Sequence, residues 1–248
     1  MDDVKQYLDS TYLKTPEQAN LSAEDNNKIV TDFVNEGISG QYKLVMIRPD
    51  QVKRAKDLIT NAKSKLLVGT VIDFPEGASP VEAKLQEAQQ AIEDGADDLD
   101  FVVNYDAFKN GDIDLIKEEI TKCTNLGLQY GKTVKWIIEV AALDATQIIQ
   151  LTALIKNTVV RQIKEHNFDR VFVKSSTGFY KTFDGSPNGA TVESIILMIE
   201  NAVPLQVKAS GGIRSFEDAI TYINLGVKRI GTSSALEIVN GLTSNKEY

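Results

Sequence analysis

Two apolar runs in this chain end on lysine. One reads Val171-Phe172-Val173-Lys174-Ser175-Ser176-Thr177-Gly178 and the other Leu205-Gln206-Val207-Lys208-Ala209-Ser210-Gly211-Gly212. An ammonium group at the end of an apolar β run must be desolvated or paired, and left uncompensated it is strongly destabilising. One such lysine is explained by snorkelling to a rim or by a carboxylate partner. Two on neighbouring strands repel, each disfavouring the other's charged form, and partial burial lowers the amine pKa further. In that setting a lysine amine attacks a carbonyl and forms a Schiff base. The residues alone leave open which of Lys174 and Lys208 is the nucleophile.

The third member is Asp100, in Asp98-Leu99-Asp100-Phe101-Val102-Val103. Alternation places Leu99, Phe101 and Val103 on one face and Asp98, Asp100 and Val102 on the other. With the apolar face against helices, Asp100 points inward, where a carboxylate neutralises a lysine or exchanges protons with it through water. A buried ion pair without a catalytic role is the alternative reading. Asp9, in Leu8-Asp9-Ser10-Thr11, and Glu139, closing Trp136-Ile137-Ile138-Glu139, are lesser candidates. Alternation puts Lys135 on the face of Glu139, so a Lys135–Glu139 pair is expected.

Three segments supply a second handle: Ser176-Thr177-Gly178, Ser210-Gly211-Gly212-Ile213-Arg214 and Gly231-Thr232-Ser233-Ser234. Loops of this composition turn backbone N–H groups and hydroxyls toward an anion, and the last strands of a barrel commonly build a phosphate site this way. Ordinary turns use the same residues. Three such segments after late consecutive strands, two beside the lysines, point to a phosphorylated substrate.

Composition narrows the chemistry. Cys123 and His166 are the single cysteine and histidine, which excludes an intramolecular disulfide and a zinc site of several Cys and His ligands. Ser-His-Asp or Cys-His catalysis survives only with His166 as the base. With 27 Lys+Arg against 35 Asp+Glu the net charge is −8, which gives no basic footprint for nucleic acid. The first residues carry acid where a signal peptide carries base, and no run of about 18 apolar residues occurs. A soluble, cytoplasmic protein is expected.

Positioning these groups takes a repeating scaffold. Apolar runs at 42–47, 66–72, 99–103, 133–139, 170–174, 205–209 and 227–231, with a weaker one around 7–13, alternate with amphipathic stretches of helical period. Gly37, Gly95, Gly127 and Gly226 each follow a helix-like stretch, where a C′ residue with positive φ is expected. Ser215 with Asp218 reads as a capping pair. Eight such units in 248 residues, without a Pro/Ser-rich linker, predict a single α/β domain over 1–248. Its expected form is a (β/α)8 TIM barrel with a short tail at about 242–248, and a doubly wound open sheet is the competitor. In a barrel the active site lies at the C-terminal ends of the strands.

With these residues in view, the chain resembles the deoxyribose-phosphate aldolases, class I aldolases on a (β/α)8 barrel. The carriers are Leu8-Asp9-Ser10-Thr11, Gly95-Ala96-Asp97-Asp98-Leu99-Asp100, Phe172 to Phe179, Val207 to Arg214, and Arg229-Ile230-Gly231-Thr232-Ser233-Ser234, in matching order over nearly the whole chain. The resemblance implies reversible cleavage of 2-deoxy-D-ribose 5-phosphate to acetaldehyde and D-glyceraldehyde 3-phosphate, without metal or organic cofactor. It assigns the Schiff base to Lys174, with Lys208 depressing its pKa and shuttling protons together with Asp100. Gly178, Gly211, Gly212, Gly231, Ser233 and Ser234 would hold the phosphate. A C-terminal tyrosine can enter the site in this family, which makes Tyr248 a candidate, against a disordered tail. A homodimer or homotetramer is expected.

The departures are local. Met46 stands where many members have cysteine, and Phe179 where some have lysine, with Lys181 a replacement for that charge. Residues 180–189 form a longer connection, and Val140-Ala141 follows Glu139 where Thr-Gly is common. The rivals are another class I sugar-phosphate aldolase or transaldolase, and a catalytically silent phosphosugar-binding protein. Against the last stands the joint presence of Lys174, Lys208 and Asp100, since binding alone needs only the glycine and serine loops.

Overall fold

Eight short runs form strands, those in the middle of the chain rich in β-branched and apolar residues: β1 (Leu8–Thr11), β2 (Leu44–Ile47), β3 (Leu67–Ile72), β4 (Asp98–Val102), β5 (Thr133–Ile137), β6 (Val171–Lys174), β7 (Gln206–Ser210) and β8 (Arg229–Thr232). They come from a computed structural model that describes residues 4–183 and 185–244. Each strand pairs in parallel with the next in chain order, and β8 pairs with β1, so the sheet closes. An open doubly wound sheet would leave those two edges apart; the fold is a (β/α)8 barrel.

The connections carry the helices α1 (Pro16–Ala19), α2 (Ala23–Gly40), α3 (Val52–Asn61), α4 (Val81–Glu93), α5 (Tyr105–Lys109), α6 (Ile113–Gln129), α7 (Ala145–Gln162), α8 (Val192–Ala202), α9 (Phe216–Leu225) and α10 (Ala235–Val239). Ser215 and Asp218 form the anticipated capping box on α9. Among the described residues no helix is long and apolar enough to cross a membrane.

Two different interiors result. Between strands and helices lies a continuous apolar layer that includes Val34, Val45, Leu99, Phe101, Trp136 and Ile155. Inside the barrel, Leu13, Leu44, Met46 and Val71 fill the side of β2 and β3. Gly69 on β3 makes room for them, since a Cβ there would lie 2.6 Å from Met46 Cε. The opposite side of the barrel, from β4 through β8 to β1, is filled with charge.

Two glycine expectations fail for one reason. Gly95 and Gly226 have the expected positive φ, at 104° and 115°. Gly37 and Gly127 instead lie within α2 and α6. Their missing side chains let the helices approach the barrel: a Cβ would lie 2.8 Å from Val45 Cγ1 at Gly37, and 2.4 Å from Val134 Cγ2 at Gly127.

Candidate active site

The register of the barrel brings distant charges level. Asp100 on β4 stands beside Lys135 on β5, Lys174 on β6 beside Lys208 on β7, and Lys208 beside Arg229 on β8. Asp9 on β1 and Asp98 on β4 complete the group. Asp100 is its centre: Oδ1 accepts from Lys135 Nζ at 2.7 Å, while Oδ2 accepts from Lys174 Nζ at 3.0 Å and Lys208 Nζ at 2.9 Å. Lys208 also donates to Asp9 Oδ2 at 2.5 Å and Lys135 to Asp98 Oδ2 at 2.8 Å. Arg229 spans the far side, with Nε on Asp9 Oδ1 at 2.6 Å and Nη2 on Asp98 Oδ2 at 3.1 Å.

Lys135, Lys208 and Arg229 therefore each hydrogen-bond to two carboxylates, and Lys135 also lies 3.8 Å from Asp9, whereas Lys174 contacts Asp100 alone, through an oxygen it shares with Lys208. Burial and the neighbouring Lys208 ammonium outweigh that single partner and bring the Lys174 pKa down to about 8. The carboxylates respond in the opposite sense. Burial pushes Asp9 upward, but Arg229, Lys208 and Lys135 hold it at about 2. Asp100 stays well below the usual carboxylate range, with Lys135, Lys208 and Lys174 overcoming its desolvation. Lys135, pulled down by burial, is raised by Asp100, Asp98 and Asp9.

Above this layer opens a cavity of about 280 Å³. Lys174 reaches it; Lys208, Asp100 and Asp9 lie beneath, fully buried. Gly178, Gly211, Gly212, Gly231 and Ser233 line it together with Thr11, Leu13, Thr177, Asn188 and Arg214. Gly211 and Gly212 have φ of 86° and 78°, a turn that L side chains rarely adopt. Gly189 of the long 180–189 segment packs on that turn, its Cα so close that a Cβ would lie 2.4 Å from the Gly211 carbonyl. Ser234 is buried behind the cavity wall, and its N–H donates to Thr232 Oγ1 at 2.9 Å. Tyr248 lies outside the described residues.

The expected Lys135–Glu139 pair does not form. Alternation holds only through Ile137, because Glu139 takes a left-handed φ of 54° and opens a 3-10 turn. Its side chain swings toward the next loop, where Oε2 accepts from the Thr177 N–H at 3.0 Å and from the Thr177 hydroxyl. Burial raises the Glu139 pKa despite those bonds. Lys135, Asp98 and Arg229 belong to the charged layer although sequence reasoning gave them no role in the site. The β4 alternation that points Asp100 inward carries Asp98 with it, which was the available signal.

No protein-family model matches the chain. The deoxyribose-phosphate aldolase of Thermococcus gammatolerans is 39% identical over 240 residues, covering 96% of this chain and 96% of the relative. The chain belongs to the deoxyribose-phosphate aldolase family. Deoxyribose-phosphate aldolase 1 of Staphylococcus aureus is 34% identical over 98% of this chain and 99% of its own. Among solved structures, the aldolase QR15 superposes with a TM-score of 0.80 at 32% identity, over 97% of this chain and 96% of that one. The deoxyribose phosphate aldolase from Aeropyrum pernix, described as a tetramer, gives 0.76 at 29% identity, over 96% and 90%.

Two of the departures, Met46 and Phe179, lie together on one wall of the barrel. Phe179 packs edge-on against Phe74 at 5.0 Å between centroids, and the Arg48 guanidinium lies 5.0 Å from the Phe74 ring. Phe74 and Phe179 extend the apolar interior around Leu13 and Met46. Lys181 is not among the residues that line the main cavity. It lines a separate cavity of about 230 Å³ with Glu139, Thr177 and Tyr105, while Arg214 lines the main one.

Proposed function

We propose that this chain catalyses the reversible retro-aldol cleavage of 2-deoxy-D-ribose 5-phosphate to D-glyceraldehyde 3-phosphate and acetaldehyde, with Lys174 as the Schiff-base lysine. The observation that carries the assignment is that Lys174 is the cluster lysine that reaches the cavity, and it is the least compensated of the four cations.

In the cleavage direction the neutral Lys174 amine attacks C1 of the open-chain aldehyde, and the carbinolamine loses water to give an iminium. Removal of the C3 hydroxyl proton breaks the C2–C3 bond. Its electron pair moves to C2 and is held as an enamine, while C3 leaves as the aldehyde of D-glyceraldehyde 3-phosphate. Protonation at C2 and hydrolysis of the iminium release acetaldehyde and the free amine. Asp100 Oδ2 bridges Lys174 and Lys208 at 3.0 and 2.9 Å, a path for the proton relay. Asp9 acts from below by holding Lys208 and Arg229. The turns at Gly178, Gly211 and Gly212, with Gly231, Ser233 and Arg214, receive the phosphate, and Ser234 supports that wall from behind.

Acetaldehyde and borohydride, followed by peptide mass spectrometry, test the assignment: an ethyl adduct is expected on Lys174. Active protein without that adduct would overturn it. Because the amine form attacks, kcat/KM is expected to fall tenfold per pH unit below about 8 and to level above it. Acetaldehyde rather than dihydroxyacetone phosphate as the donor separates this reading from other Schiff-base aldolases. Release of aldehyde from the phosphate ester separates it from a silent binding protein. The reading places the enzyme in cytoplasmic deoxyribonucleoside breakdown, as an assembly of two or four copies that sedimentation measures.

A further inference from the structure

The charged layer inside the barrel holds one more cation than carboxylate. Lys135, Lys174, Lys208 and Arg229 face Asp9, Asp98 and Asp100, all closed off from solvent or nearly so. Lys174 is faced by Asp100 from β4, Lys135 from β5 and Lys208 from β7, with Glu139 beyond the end of β5 and Arg214 at the cavity beyond β7. Glu139 lies outside the layer with one oxygen on Thr177, and burial raises its pKa although Lys174 and those bonds pull the other way. With every cation protonated the layer carries an uncompensated buried charge, and releasing one proton makes it neutral.

Which proton leaves is decided by who occupies the carboxylates. Lys135 does not reach the cavity, yet it takes Asp100 Oδ1 at 2.7 Å and Asp98 Oδ2 at 2.8 Å. We propose that Lys135 is a positioning residue that acts through Asp100: by occupying the carboxylates of β4 it leaves Lys174 as the surplus cation and thereby holds it in the amine form. The inference rests on Lys174 being the Schiff-base lysine and adds what makes it so. Arg229 contributes on the far side by occupying the second contacts of Asp9 and Asp98.

The proposal makes the reactivity of Lys174 a matter of counting charge. Lys135→Met leaves three cations against three carboxylates, so Lys174 keeps its proton. The midpoint of its pH dependence is expected to rise by a unit or more, and its reaction with acetaldehyde at pH 7 to slow about tenfold. Asp98→Asn alone widens the surplus and is expected to lower the midpoint. The double variant Lys135→Met/Asp98→Asn restores a surplus of one and returns the midpoint toward wild type. Lys135→Arg keeps it in place.

The readout is the rate of adduct formation at Lys174 with acetaldehyde and cyanoborohydride, between pH 6 and 10. Thermal melts identify folded variants, and the single Asp98→Asn change keeps the test alive if Lys135→Met does not fold. Midpoints that ignore the charge count, or a double variant no better than Lys135→Met, would overturn the proposal. A wild-type protein without any adduct at Lys174 would instead overturn the aldolase assignment on which it rests.

Discussion

An amine whose pKa is lowered by burial and by a neighbouring cation is a strained guest in its own fold. The Lys174 pKa falls from 10.5 to about 8, so the folded protein binds fewer protons there than the unfolded chain between those values. Stability therefore rises with pH across that window, and the penalty is complete below 8, at roughly 3 kcal/mol. Lys174→Met is expected to abolish turnover and to stabilise the fold at pH 7 by up to about 3 kcal/mol. The gain shrinks as the pH approaches 10.5, which urea titrations at pH 7 and 9.5 measure. Asp9 has the opposite sign. Its pKa is lowered from 3.8 to about 2, so its contribution is present above 3.8 and is lost as the pH falls through 2. Asp9→Asn leaves Arg229 and Lys208 short of a carboxylate and is expected to cost about 3–5 kcal/mol near neutrality. Denaturant titrations from pH 7 to 2 should show the difference from wild type closing at the acid end.

Elements with a strict period were legible, and elements that end on a change of conformation were not. The barrel order follows from the repeating pattern, and alternation along β4 turns Asp98 and Asp100 to the inner lysines while Leu99 and Phe101 join the outer apolar layer. The same rule extended to Glu139 misplaces it, because a left-handed residue ends β5 two positions past Ile137. Gly37 and Gly127 show the companion failure: the same residue type serves a helix end or a close helix–strand approach, and only packing distinguishes them. Residue types alone did not separate Lys174 from Lys208; the resemblance assigned the Schiff base to Lys174, and the structure adds that Lys174 contacts one carboxylate where Lys208 contacts two. The 180–189 connection was legible as an extra length and not as a support. Gly189→Ala would drive a methyl into the Gly211 carbonyl, at 2.4 Å. It is expected to raise KM for the phosphorylated substrate about tenfold, a loss near 1.4 kcal/mol, while acetaldehyde still labels Lys174. Steady-state kinetics beside adduct formation separates the two.

At the scale of the whole molecule, the site spans the sequence almost end to end. The Lys208–Asp9 contact joins residues 199 positions apart, and Arg229–Asp9 joins residues 220 apart. Both depend on β8 pairing with β1. Loss of barrel secondary structure and loss of aldehyde-reactive Lys174 are therefore expected to follow a single denaturant transition, seen by far-ultraviolet circular dichroism and by adduct formation. Separated transitions would mean that the charged layer assembles or melts apart from the barrel.

Closure of the ring by its first and last strands also decides when the Lys174 amine gives up its proton. Before β7 and β8 exist, Lys174 is an ordinary surface-type amine with a pKa near 10.5, and about 1 molecule in 3,000 carries it unprotonated at pH 7. After closure that fraction is about one in ten. On the proposed Schiff-base role of Lys174, an unfinished chain meets aldehydes with that amine protonated, and reactivity arrives together with the walls that confine it.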